Sequence, residues 1–469
     1  MKYSSIFSLC CLLSLSISMS ASAVQSSTPD IPVSFAHAWD FVSQYSNAIQ
    51  AQHANVKSAQ AKQDAAKDLY LPKITLNGTY THLNEPVSLE TSSLISSPIL
   101  SSSILSSLPS SIALTEQNIY SSSITALWPL FTGGRIDAAQ IIAQGMTDEA
   151  QALMKMKQQE RFETLTKVYF GTILAKKVAE TYMDVELDMQ AHYQNAKKLE
   201  KQGQIAHVER LSAQAQYDTA KVNAKKAQRS LAIAQVALNQ MLRKKQDNQS
   251  QYMPDAALFI NQALPPLSEF IDATLKTYPG LQILAAKKKQ VGGLIQVQKG
   301  RYYPTVAAFG SYNVYKDDSL TSDLEPDWYV GVNVSMDLID SSGRGGELDA
   351  AYEKKEQVTY LTEQAHHDLR VLVEKTYKNA QQSIEEYQGL ISSRALAQES
   401  LRLRKLAFAQ GMATSVQVSD AETFLQSIQT RRLLSAYKYV IALSQLLALS
   451  DKIDTFSQYQ NTPYIEVHS

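Results

Sequence analysis

Histidine pairs, a glycine-rich turn and two cysteines are the features of this sequence that could carry chemistry. His366 and His367 are adjacent, and on a helix successive side chains diverge by about 100°, so the pair cannot converge on one metal ion. His82 and His207 have no carboxylates or cysteines at ligand spacing. Gly343-Arg344-Gly345-Gly346 lacks the Lys-Ser/Thr of a phosphate-binding loop and reads as a strand-to-helix junction. The only cysteines, Cys10 and Cys11, lie in a stretch that reads as an export leader. Lys2 precedes an apolar run from Ile6 to Ile17, and Ala21-Ser22-Ala23 has the small-x-small cleavage pattern. Neither cysteine follows the small residue expected before a lipidated one, so residues 1–23 are expected to be removed after Ala23, with all thiol chemistry. No catalytic residue, no metal site and no cofactor is expected. The chain is not read as an enzyme, and energy for any work must come from a partner.

With chemistry set aside, the elements themselves become the subject. The chain has 469 residues and a formal net charge of -1, which argues against a nucleic-acid partner. Only 17 glycines and 14 prolines punctuate it, which favours long helices. Past the leader, no apolar run is long enough for a membrane-spanning helix.

The strongest pattern is an internal repeat. Leu69-Tyr70-Leu71-Pro72, then Gly78 and Tyr80, recurs 232 residues later as Arg301-Tyr302-Tyr303-Pro304, Gly310 and Tyr312. Leu130-Phe131 with Gly134-Arg135 recurs as Leu338-Ile339 with Gly343-Arg344, and Gly203 recurs as Gly411, 208 residues on. The spacing predicts two repeats, 24–250 and 251–450, followed by a tail at 451–469. Each repeat reads helix, strand, strand, long helix, turn, helix.

Strands are expected at about 73–83, 118–130, 305–315 and 327–338. Ile74, Leu76, Gly78 and Tyr80 alternate with polar residues, as do Trp328, Val330, Val332, Val334, Met336 and Leu338. Alternation fits any half-buried strand. A length of about ten residues, with Tyr80, Trp128, Tyr312 and Trp328 near strand ends as an aromatic girdle, favours a transmembrane barrel over a soluble sheet. The Ser-rich loop at about 84–117 is expected to have no structure of its own.

Long helices are expected at about 135–202 and 347–410, each returning through a second helix at about 205–246 and 413–449. The first would reach roughly 100 Å. Leu165, Val168, Thr172, Ala175, Ala179 and Tyr182, then Met189, Tyr193 and Ala196, step by threes and fours as a coiled-coil seam.

The strand-helix junctions Leu130-Phe131-Thr132-Gly133-Gly134-Arg135 and Leu338-Ile339-Asp340-Ser341-Ser342-Gly343-Arg344, with the turns Gly203-Gln204-Ile205-Ala206 and Gly411-Met412-Ala413-Thr414, occur in the same order in both halves. Over about 34–449 the chain thereby resembles the TolC family of outer-membrane efflux proteins. The resemblance implies a mainly α fold with a small transmembrane β portion: a homotrimer whose four strands per protomer close a 12-stranded β-barrel above a coiled-coil periplasmic tunnel. It implies an outer-membrane exit duct for tripartite efflux or type I secretion, in contact with outer-membrane lipid and coupled through a periplasmic adaptor (membrane fusion) protein to an inner-membrane transporter. The two turns would lie at the periplasmic tip. There Gly203, Val208, Ala213, Gly411, Val416 and Ala421 would meet the adaptor, and Asp420, Gln417 and Glu209 would occupy gate positions. Gln417 stands where some members carry an acid, and Ala413 where they carry an arginine, so the gate is expected to be built differently here. The rival reading, a periplasmic coiled-coil adaptor or scaffold without its own pore, shares the leader and the long helices but not two matched pairs of membrane-length strands.

Overall fold

The computed structural model describes residues 30–90, 110–242, 251–462 and 465–466. The expected leader, the middle of the Ser-rich loop (91–109) and residues 243–246 of the return helix expected at 205–246 lie outside the described residues.

The first repeat runs β1 (Asp30–Val33), α1 (Phe35–Tyr45), α2 (Asn47–Lys67), β2 (Lys73–His82), β3 (Ser88–Glu90), β4 (Ser111–Ala113), β5 (Asn118–Phe131), α3 (Arg135–Lys201) and α4 (His207–Leu242). The second runs β6 (Gln251–Pro254), β7 (Phe259–Ile260), α5 (Leu267–Thr277), α6 (Pro279–Gly300), β8 (Thr305–Tyr315), α7 (Leu320–Asp323), β9 (Trp328–Ser335), α8 (Arg344–Ala409) and α9 (Ser415–Leu449). A tail of α10 (Phe456–Asn461) and β10 (Ile465–Glu466) follows. The duplication is thus present in the fold.

Each opening helix, read from the sequence as one element, is two. Ser46 is extended at φ -63°, ψ 119°, between α1 and α2. Tyr278 is extended because the ring of Pro279 crowds its backbone out of helical geometry. The Ser-rich loop is structured at both described ends, where β3 pairs with β4. Thr321 of α7 donates its N–H and its hydroxyl to the Leu114 carbonyl, so the loops of the two repeats are tied together.

β2, β5, β8 and β9 form one antiparallel sheet in that order. The register aligns the alternations of all four strands. Leu76 faces Ile124, Ile124 faces Tyr312, and Tyr312 faces Trp328, so the apolar residues share one face. Thr79, Ser121, Ser311 and Asn333 lie on the other, where Asn77 Nδ2 donates to Thr125 Oγ1 at 3.2 Å. Among the described residues nothing covers the apolar face: Ile74, Leu76, Val330, Val332 and Val334 are all exposed. β9 stops at Ser335, three residues short of the expected end at Leu338, and the residues beyond it have no neighbouring strand on either side.

The strands pass into the long helices through glycines held at positive φ: Gly133 and Gly134 before α3, Gly343 before α8. At Gly133 a Cβ would collide with the Gly300 carbonyl oxygen, so the β5-α3 and α6-β8 junctions touch backbone to backbone.

α3 has 67 residues and α8 has 66, each folding back along its own partner helix. The seam expected on α3 is the buried one, with Leu165, Thr172, Ala179, Met189 and Ala196 all shielded. The largest core lies midway down α3. Phe35, Phe162, Tyr169, Phe170, Phe259 and Phe456 pack there with ring centroids 4.7–6.0 Å apart. β1 pairs in parallel with β6 and β7 antiparallel with β10, and Tyr169 Oη donates to the Val33 carbonyl at 2.7 Å. This collar gathers the start of the chain, the link between repeats and the tail around one aromatic core.

Candidate functional site at the hairpin tips

The two long hairpins reverse by the same device. Gly203 and Gly411 sit at φ 70° and 72°, a conformation glycine adopts without the Cβ clash that penalises other residues. Gly203 N–H donates to the Glu200 carbonyl and Gln204 N–H to that of Leu199. In the second hairpin Gly411 donates to Phe408 and Met412 to Ala407. This double bond pattern satisfies the last carbonyls of α3 and α8.

The return helices start differently. Thr414 and Gln417 cap α9 reciprocally: each side chain accepts from the other's backbone N–H, at 3.3 and 3.2 Å. At α4 the contacts run through Glu200, which lies 2.5 Å from His207 and forms an ion pair with Arg210 at 2.8 Å.

Two sets of contacts tie the hairpins to one another. Ser415, in the first turn of α9, donates its N–H to Glu209 Oε2 of α4 at 2.7 Å, which places a carboxylate at the positive end of a helix. Ser415 Oγ lies 3.0 Å from His192 Nε2 of α3. One turn up α3, Asp188 Oδ2 accepts from Lys405 Nζ of α8 at 2.6 Å. Lys405 also lies 3.4 Å from Glu422 Oε2 of α9, an oxygen that accepts no hydrogen bond. A cleft of about 400 Å³ opens beside Asp188, His192 and Lys405, whereas Glu422 is only 4% exposed. Burial, opposed by Lys405 and reinforced by Asp188, raises the Glu422 carboxyl to about 7. Burial together with the Lys405 charge lowers His192 to about 4, so this imidazole is neutral at pH 7.

The sequence-derived tip positions divide three ways. Glu209 and Gln417 are engaged in capping α9, while Asp420 is exposed on that helix. Val208 and Val416 are exposed beside the turns, but Ala213 and Ala421 are buried in the hairpin cores and present little surface. Asp188, His192, Lys405 and Glu422 went unseen in the sequence. The available signal was seam position: Glu422 follows Ser415 and Val418 and precedes Leu425 at steps of three and four, and a charge in such a slot must find a partner.

The four aromatic positions all lie on the apolar face of the sheet. Tyr80, stacked on Tyr120 at 4.9 Å, shares the loop end with the cross-strand pair Tyr312 and Trp328. Trp128 lies at the helix end, its indole N–H donating to the Tyr70 carbonyl at 2.9 Å. Among the described residues there is no cluster of three or more metal-ligating side chains, and no helix is long and apolar enough to cross a membrane.

Residues 42–242 and 270–450 match the model of the outer membrane efflux protein family, and the chain belongs to that family. It is an outer-membrane efflux channel that extends into the periplasm. Among solved structures it is similar to the channel CusC, at 14% identity with a TM-score of 0.72 over 90% of this chain and 92% of that one. It is likewise similar to the outer membrane protein VceC of Vibrio cholerae (12% identity, TM-score 0.70, 89% and 96%). The open state of the Neisseria gonorrhoeae MtrE outer membrane channel gives 17% identity and a TM-score of 0.70 over 89% of each chain. No curated protein matches.

Proposed function

We propose that three copies of this chain close one continuous duct, which passes solutes outward without chemistry of its own. The observation that carries this reading is the sheet. Among the described residues it has four strands, an uncovered apolar face with aromatic residues at both ends, and two edges with no partner strand. Unpaired backbone groups are not tolerated in hydrocarbon, and four strands are too few to close on themselves. Three copies supply twelve strands, with the apolar face toward lipid and the hydroxyl and amide face lining the lumen.

Residues 1–23 would direct export, and the repeats 24–250 and 251–450 would each contribute one hairpin to the sheet and one to the tunnel. At the tip, Gly203, Gly411, Val208 and Val416 would meet a periplasmic adaptor, which couples the duct to an inner-membrane pump. Asp420 is the free acid of the gate, Glu209 and Gln417 having been taken up by the cap of α9.

Purified protein should run as a heat-resistant trimer and give discrete conductance steps in a planar bilayer. A water-soluble monomer that leaves the bilayer silent, released from membranes by carbonate alone, would return the chain to the rival reading of a pore-less adaptor. Asp420→Ala should reduce the preference for cations over anions; unchanged selectivity removes Asp420 from the gate.

A further inference from the structure

The trimeric reading leaves open how the β9 edge of one copy meets the β2 edge of the next, and the internal repeat supplies a template for that junction. In the first hairpin Leu76 faces Ile124 and Thr79 faces Ser121. In the second, Ala308 faces Val332 and Ser311 faces Tyr329. Each β2 residue has its counterpart 232 positions later in β8, and each β5 residue 208 positions later in β9. The two hairpins therefore share one register. The seam between them, β5 on β8, pairs Ile124 with Tyr312, Thr125 with Ser311 and Leu127 with Phe309. Because β9 corresponds to β5 and β2 to β8, the seam between copies is this same seam transferred.

We infer that β9 pairs antiparallel with β2 of a second copy of this chain, in the register that sets Asn333 opposite the partner's Thr79, Ser335 opposite the partner's Asn77 and Val332 opposite the partner's Tyr80. This register rests on the trimeric reading and adds to it. It keeps both faces consistent: Asn333 and Ser335 meet polar residues on one side, while Val332 meets an aromatic on the other. A slip by one residue would bring apolar side chains to the polar face all along the seam.

The template also accounts for the short fourth strand. β5, which has neighbours on both sides, runs on through an irregularity after Pro129 to Phe131, which faces Val306. β9 ends at Ser335, although Met336 and Leu338 continue its alternation. Ile339, the counterpart of Phe131, is 97% exposed and Leu338 is 78% exposed. In the transferred seam Met336 lies opposite the partner's Leu76 and Ile339 opposite the partner's Ile74. The partner's edge thus lengthens β9 and covers the most exposed large apolar side chain among the described residues.

Disulfide trapping tests this in the full chain carrying Cys10→Ala and Cys11→Ala, so that introduced thiols are the only ones. Two double variants probe the register: Asn333→Cys with Thr79→Cys, and Val332→Cys with Tyr80→Cys. Adjacent pairs in an antiparallel seam alternate between wide and narrow, so one of the two has the geometry that oxidises readily. Within one copy β2 and β9 are separated by two strands, roughly 14 Å at about 4.8 Å per step, beyond the reach of a disulfide. Every bond formed therefore joins two copies. The expected result is a reducible covalent trimer from at least one predicted pair. The shifted pairs Asn333→Cys with Asn77→Cys and Asn333→Cys with Thr81→Cys should give at least about five-fold less, because a two-residue offset separates the thiols. Stronger trapping at a shifted pair, or a trimer that traps at neither predicted pair, overturns the register and leaves the duct standing. A monomer in detergent by native mass spectrometry overturns both.

Discussion

The two ends of this molecule handle unsatisfied groups in opposite ways. At the sheet, backbone edges and a whole apolar face are left open, and no contact among the described residues compensates for them. At the tip, charges lie inside the seam, and each meets groups from another helix of the same chain. In the proposed trimer the sheet is finished by lipid and by further copies, so it is stable only once assembled. The tip is finished within one protomer, so its two hairpins are held together before any partner arrives.

The largest effect should come from breaking the sheet. Val332→Lys sets a cation on the apolar face, at a cost of about 2–4 kcal/mol per copy near the membrane midplane, and it recurs in every copy. The heat-resistant trimer should disappear from gels, while Asn333→Lys on the opposite face should retain it. Equal loss in both would mean that the two faces are not differently solvated.

Next in size is Lys405→Met, which removes the cation between Asp188 and Glu422. The expected loss is roughly 1–2 kcal/mol in chemical denaturation at pH 7, discounted from the value for a fully buried pair because Lys405 is a third exposed. A change within error would mean that water already satisfies the two carboxylates.

The pH response should be smaller and of definite sign. Glu422 is raised from 4.5 to about 7 in the folded chain. Its contribution is complete below about 4.5 and is lost as pH rises through about 7, because the folded state holds the proton longer. Amide exchange at Ser415, corrected for its intrinsic pH dependence, should accelerate between pH 5.5 and 8. Glu422→Gln should flatten that slope, and an identical slope in the variant would assign it to another group. Smallest of all, Glu209→Gln weakens the helix cap by about 0.3–1 kcal/mol, visible as faster exchange at Ser415 with the trimer intact.

The same contrast decides what could be read without coordinates. The sheet was legible because a period of two and repeated glycine landmarks encode it locally, and the apolar residues of Trp328 to Val334 share one face. The long helices were legible from the scarcity of breakers and from the seam through Leu165, Thr172 and Ala179. The break at Ser46 was not, because serine there is unremarkable until its backbone is seen. The collar strands were hidden as well, since β1 and β6 are four residues each and pair across some 220 positions of sequence. Lys405 and Asp188 stand 217 residues apart on helices rich in charge, where each by itself resembles an ordinary solvated residue.

The contact between Gly133 and Gly300 has a mechanical consequence. With two main chains pressed together where strand becomes helix, the sheet and the long helices of one chain are geared to each other. In the proposed trimer, twisting the helices as a whole would have to turn the barrel with them. In the proposed duct, any opening would then fall to the hairpin tips, at the other end of the long helices.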